Sequence, residues 1–205
     1  MMKKVLSLFA VLVCLPLAAH AGSDRVGVWD AGVTIQGDFL SDDNAGDNVY
    51  YGGNFSYGIN SWFAVGMSAG WSDSTFDVAS PSGNFAKGGR VTIVPVFADF
   101  IFRVPGSEDK NLVPYGVMGL GALFTNLHGT GDAGRFGQQA DNEDGFAFKL
   151  GVGVDWFANK NWIYNLETGY VFTTASLDIT DSRGGDAGSV DLDYYYLGGG
   201  VKWIG

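Results

Sequence analysis

Few side chains in this sequence are equipped for chemistry. Beyond residues 1–21 the only histidine is His128, in the run His128-Gly129-Thr130, and the single cysteine, Cys14, lies within those first 21 residues. A nucleophilic dyad needs a base beside its nucleophile, and a His- or Cys-based metal site needs several such ligands, so neither is supported and no enzyme activity or cofactor is expected. What remains is isolated charge: Asp30, Asp38, Asp99, Arg103, Lys149, Asp155, Glu167 and Lys202. Such residues can line an ion path or form a gate, or they can pair with one another. In a narrow interior, pairing is favoured, because an unpaired buried charge is costly. The acidic groups Asp42, Asp43 and Asp47, then Asp141, Glu143 and Asp144, then Asp181, Asp186, Asp191 and Asp193 could hold divalent cations. None has the twelve-residue spacing of an EF-hand, so solvated surface is the expectation.

The elements that would position these charges are clearest from Gly145 to Thr173. Phe146, Phe148, Leu150, Val152, Val154 and Trp156 share one parity, and Ala147, Lys149, Gly151, Gly153 and Asp155 the other. After the turn Ala158-Asn159-Lys160-Asn161, Trp162, Tyr164, Leu166, Thr168, Tyr170 and Phe172 alternate with Asn165, Glu167 and Gly169. Period two predicts strands, and the tight turn predicts a hairpin. Each strand has the 9 to 11 residues that cross a tilted bilayer, with an aromatic-rich face and an opposite face of glycines and single charges. A water-facing sandwich surface would carry more Lys, Glu and Thr, so the apolar face is read as lipid-facing.

The same pattern recurs at Val28–Leu40, Asn48–Asn60, Phe63–Ser72 and Tyr194–Trp203. In the first of these, Asp30 and Asp38 share the inward parity; in the last, Lys202 does. Arg90–Arg103 is apolar on both faces; the shared parity of Asp99 and Arg103 turns Ile93, Pro95, Phe97 and Ile101 inward. Leu112–Phe124 is also apolar on both parities and has no assigned orientation. Asp73–Gly89, Thr125–Asp144 and the segment from Thr174 to about Asp191 read as polar loops, and the turn near Pro105-Gly106 as short. The result is an all-β, eight-stranded, antiparallel, up-and-down transmembrane barrel. Trp29, Trp62, Trp156, Trp162 and Trp203 fall near the short-turn end, as an interfacial aromatic girdle would.

The N-terminus supports export. Lys3 and Lys4 precede the apolar run Val5 to Ala19 and the small-x-small triplet Ala19-His20-Ala21, which predicts a signal peptide, 1–21, cut after Ala21, leaving 22–205 as the barrel. The 22 acidic residues outnumber the 12 basic ones, which excludes a nucleic-acid partner.

Val113-Pro114-Tyr115-Gly116-Val117-Met118-Gly119-Leu120-Gly121, Lys149-Leu150-Gly151-Val152-Gly153-Val154-Asp155-Trp156, Asn161-Trp162 and Gly198-Gly199-Gly200-Val201-Lys202-Trp203 carry a family resemblance. The chain resembles the small eight-stranded outer-membrane barrels that include the transmembrane part of OmpA, OmpX and OmpW. It is most similar to OmpW through the proline in strand four and the Asp-aromatic, Asn-x-Asn-Trp hairpin. The resemblance implies residence in the outer membrane of a Gram-negative-type bacterium, contact with membrane lipid and lipopolysaccharide, insertion by the outer-membrane assembly machinery, and a monomer. One departure is that Ile204 and Gly205 follow Trp203, where family members end on the aromatic itself.

Three readings follow as expectations. An inward wall of Ile93, Pro95, Phe97 and Ile101 would suit porin-like passive passage of small solutes, hydrophobic ones in the OmpW-like case. Proline cannot donate to a ladder, so Pro95 would mark a weak point in the wall, or merely a tolerated bulge in a filled interior. The alternative is a structural or adhesive surface protein whose barrel is an anchor and whose loops bind. A soluble periplasmic barrel of lipocalin type is a third.

Overall fold

The computed structural model describes residues 26–41, 46–79, 85–104, 111–128, 139–180 and 186–205; the expected signal peptide and the Pro105-Gly106 turn lie outside them. In chain order the strands are β1 (Trp29–Leu40), β2 (Asn48–Gly58), β3 (Phe63–Ala79), β4 (Phe85–Arg103), β5 (Leu112–His128), β6 (Gln139–Glu143), β7 (Gly145–Phe157), β8 (Trp162–Thr173), β9 (Ser176–Thr180), β10 (Asp186–Asp191) and β11 (Tyr194–Ile204). Eight of them close into an all-antiparallel, up-and-down barrel in which β1 pairs with both β2 and β11. No helix occurs among the described residues.

Alternation works here because it puts aliphatic and aromatic side chains on the outside. Val33 is 66% exposed and Leu166 55%, whereas Asp155, on the other parity of the same wall, is 0% exposed. That inversion of the usual globular pattern is what a hydrocarbon solvent selects. The short turns are set by asparagine. Asn60 Oδ1 accepts hydrogen bonds from the backbone N–H groups of Trp62 and Phe63 at 3.0 and 2.7 Å, and Asn159 Oδ1 accepts from Asn161 and Trp162 at 2.9 and 3.1 Å. Both are side-chain mimics of a backbone turn. Asn111, just before β5, takes a positive φ of 56°, a region asparagine tolerates better than most residues.

Several expected loops are strands. Asp73–Gly89 is not a loop: Asp73 pairs with Thr92 and Ala79 with Phe85, so β3 and β4 run on as a ribbon beyond the last β2 partner, Tyr50, opposite Ser72. Thr125–Asp144 contains the end of β5, which places His128 in a strand instead of a loop, and then β6. The stretch after Thr173 contains β9 and β10, which form a separate three-stranded sheet with β6 in the order β10-β9-β6. At 17 and 19 residues, β3 and β4 are well beyond the 9 to 11 that cross a bilayer.

β5, which the sequence leaves without orientation, turns Val113, Tyr115, Val117 and Leu123 inward, all at most 5% exposed. Leu120 and Phe124 face outward. Its two apolar faces reflect two environments, hydrocarbon outside and an apolar stretch of interior within.

Candidate functional site

The interior is layered along the barrel axis. At the short-turn end, Asp30, Asp155 and Lys202 each sit beside an outward tryptophan of the same strand, Trp29, Trp156 and Trp203. Arg103 ends β4 at the same end. The Arg103 guanidinium lies 3.2 Å from Asp30 Oδ2, which also accepts the Ser56 hydroxyl at 2.7 Å, and Lys202 Nζ lies 3.1 Å from Asp155 Oδ1. All four charged side chains are buried.

One layer further in, Lys149 Nζ is 2.8 Å from Asp99 Oδ1, while Asp99 Oδ2 accepts the Ser68 hydroxyl at 2.6 Å. The Lys149 ammonium also stands 5.1 Å from the centre of the Phe97 ring. Glu167 pairs with no cation among the described residues. Instead, the hydroxyls of Tyr115 and Tyr196 donate to its two carboxylate oxygens at 2.8 and 2.9 Å. Asp38, higher in β1, accepts a hydrogen bond from Gln36 Nε2 at 2.9 Å and lies opposite Asn48 in the β1–β2 register.

Toward the long-connection end the side of the interior formed by β4, β5, β7, β8 and β11 becomes apolar, while buried Asp38, Asn48, Ser72 and Ser74 keep the β1–β3 side polar. Val91, Ile93, Phe97, Leu123, Ala147, Val171, Ala175, Leu192, Tyr194 and Tyr196 form one buried cluster. Ile93 and Phe97 belong to it, and Pro95, Phe97 and Ile101 line the cavity below. That cavity has a volume of about 70 Å³ and is shared with Tyr50, Asp99, Tyr115 and Lys149. It has room for a few waters and is far too small for an open channel.

Tyr50, Tyr115, Tyr194 and Tyr196 occupy much of the interior, and reading charges alone overlooks them as a set. Their signal lies in the inward glycines. A Cβ on Gly52 or Gly70 would overlap the Tyr50 ring, one on Gly153 the Tyr115 ring, and one on Gly151 or Gly169 the Tyr196 hydroxyl. Glycine on the inner face is therefore the socket into which a tyrosine of the same or another strand fits.

The wall has one irregularity beside the cavity. Along β3 and β4, Ala69 pairs with Val96 and Ser72 with Ile93, but the ladder lapses between them, where Pro95 and Val94 stand opposite Gly70 and Trp71. Proline has no N–H to give, which accounts for the lapse. On its other side Pro95 stays in register with Leu123 of β5. Tyr50 covers the gap from inside, and Trp71, with Tyr51 at a ring separation of 6.1 Å, flanks it outside.

The tryptophans of the short-turn end form a band. Trp29 and Trp203 meet edge to face at 5.0 Å, Trp62 stacks near Phe102 at 6.4 Å, Trp156 lies 5.6 Å from Tyr164, and Trp162 pairs with Trp203 across strands. Ile204 and Gly205 continue the ladder: Ile204 N–H donates to the Asn161 carbonyl at 2.8 Å and Gly205 N–H to that of Trp29 at 3.1 Å.

Two of the acidic segments share a sheet, in which Glu143 of β6 and Asp191 of β10 both lie opposite Ser176 of β9. Asp144 Oδ1 accepts the Thr125 N–H at 2.8 Å and Asp193 Oδ1 the Thr173 N–H at 2.6 Å, so both serve as backbone caps. The side chains of Asp42, Asp43, Asp141, Glu143, Asp181 and Asp186 lie outside the described residues. Among the described residues no group of three or more potential metal ligands comes together.

The model of the outer membrane protein β-barrel domain family matches residues 7–204. A crystal structure of the outer membrane protein OprG from Pseudomonas aeruginosa superposes with a TM-score of 0.72 at 14% identity, covering 91% of this chain and 99% of that one. The solution structure of Escherichia coli outer membrane protein W gives 0.52 at 15% identity, over 88% and 98% of the two chains. Ail, the attachment invasion locus protein of Yersinia pestis, gives 0.53 at 13% identity, over 88% and 99%. A search of curated proteins returned no match.

Proposed function

Because this chain belongs to the outer membrane protein β-barrel family, we propose that it gives small apolar solutes passive passage, with entry at the long-connection end and exit sideways into the bilayer beside Pro95. The lapse of the β3–β4 ladder at Pro95, next to a lumen cavity and opposite a glycine, carries this reading. An end-to-end aqueous pore fits less well. The pairs Arg103–Asp30 and Lys202–Asp155 cross the short-turn end, and separating buried partners is costly. The upper interior, by contrast, is lined by Ile93, Phe97 and Leu123, which suit an apolar passenger. Export on a cleaved signal of residues 1–21, insertion by the outer-membrane assembly machinery, contact with lipopolysaccharide and a monomeric state accompany the proposal.

The test is uptake of a small apolar dye into liposomes that carry the purified barrel. Pro95→Val restores a donor to the ladder and should slow uptake several-fold, with planar-bilayer conductance low in both proteins. Uptake no faster than in empty liposomes, or unchanged in Pro95→Val, would falsify the lateral route.

A second reading, an adhesive surface protein, has one observation in its favour. The β3–β4 ribbon and the β10-β9-β6 sheet continue ordered backbone past the barrel at the end that family topology turns outward. Exchanging residues 73–89 for a short turn would abolish surface binding under that reading and leave dye uptake intact.

A further inference from the structure

The outer wall of the barrel carries a second concavity, on the side formed by β5, β7 and β8. Its floor follows one ladder row: Gly116 pairs with Val152, and Val152 with Thr168. The row ends on taller side chains at both sides, Phe102 opposite Gly116 and Leu197 opposite Thr168. Leu150 and Leu166 stand along the two long edges, and the enclosed volume is about 550 Å³, almost all of it bordered by apolar atoms.

Gly116 opens this trough without any packing need inside the protein. A Cβ there would find no neighbour closer than 3.9 Å, whereas one on inward Gly151 or Gly153 of the neighbouring strand would collide with a tyrosine. Glycine weakens a strand interior, and in such a place often marks the close approach of something else. From Phe102 to Leu197 the row spans five strands, about 19 Å at the usual strand spacing. The trough therefore follows the curve of the wall for that length, bordered by Leu150 on one side and by Pro114, Val154 and Leu166 on the other.

We propose that this trough is a binding site for one acyl chain of a phospholipid in the periplasmic leaflet. It is continuous with the lipid-facing belt, so its occupant comes from the same solvent. A second barrel would present a convex wall, which cannot enter a trough rimmed by Phe102, Leu166 and Leu197. The leaflet follows from the side facing the short turns: Pro114 and Val154 border the trough there, two residues from the Leu112–Trp156 pair in the tryptophan band. A chain whose headgroup sits at that band runs from Pro114 toward the row of Gly116.

Native mass spectrometry of the full barrel, released from bilayers of phosphatidylethanolamine and lipopolysaccharide, tests the assignment. The intact protein should keep one phospholipid under detergent conditions that strip the rest, and Gly116→Leu, which fills the floor, should lower that occupancy about tenfold. Val152→Phe should do the same from the neighbouring strand. Heat-dependent gel migration identifies folded variants, and dye uptake, which uses the β3–β4 gap at Pro95, should be unchanged. The proposal fails if the intact barrel keeps no lipid, if the variants keep as much as it does, if the retained molecule is lipopolysaccharide, or if Gly116→Leu instead dissociates a dimer.

Discussion

Lys202 lies 3.1 Å from Asp155, and both side chains are almost wholly withdrawn from solvent, on strands that do not adjoin. The pair therefore reaches past β8 instead of decorating one hairpin. Removing one partner leaves an uncompensated buried charge, so Lys202→Ala or Asp155→Ala should each cost about 3–5 kcal/mol. The double replacement Lys202→Met with Asp155→Leu should cost much less than the sum, and urea unfolding in lipid vesicles measures the coupling.

Glu167 is held by two phenols, not by a cation, and that predicts a different pattern. Tyr115→Phe and Tyr196→Phe should each lose a hydrogen bond to a charged acceptor, about 1.5–3 kcal/mol. The two losses should not be additive, because both act on one carboxylate. A double-mutant cycle on the same unfolding assay checks this.

Tyr50 is the inner cover of the gap at Pro95. Tyr50→Ala should raise dye uptake several-fold while barrel formation, read from gel migration, stays intact. Gly70→Val should do the opposite of leaving the fold intact: its side chain would collide with the Tyr50 ring and the Tyr51 carbonyl, so a loss of folded yield is expected.

Leu166 faces hydrocarbon near the middle of β8. Leu166→Arg should cost roughly 2–4 kcal/mol if this depth is close to the bilayer midplane. A soluble barrel would tolerate the same change at its surface, so reversible unfolding in vesicles separates the two cases.

The sequence reveals the barrel most plainly where a strand has hydrocarbon on one side and polar interior on the other. β7 and β8 meet that condition, and their alternation, turn and inward Lys149, Asp155 and Glu167 are all readable. The condition fails in two ways. β5 has apolar surroundings on both sides of Leu123, and its inward Val113, Tyr115 and Val117 are hydrophobic like its outward residues, so periodicity gives no orientation. The β3–β4 ribbon past Ser72, and β6, β9 and β10, extend beyond the spanning length, where neither face needs to be apolar, so strand and polar loop look alike. The partners of the inward charges are also hidden, because Arg103 meets Asp30 and Lys202 meets Asp155 only once distant strands curl into a ring. The tyrosine sockets are readable in hindsight as glycines on the charged parity.

The seam between β1 and β11 sets Asp30 beside Ile204, joining opposite ends of the sequence. Contacts so far apart cost chain entropy before they return any stabilisation, which makes them late and slow to form. Until that moment β1 and β11 each present an unpaired edge in a lipid environment where open edges are not tolerated. Insertion of this barrel is thus a kinetic problem concentrated at a single joint, and a factor that shields the β11 edge would change how quickly the chain matures while leaving the stability of the finished barrel untouched.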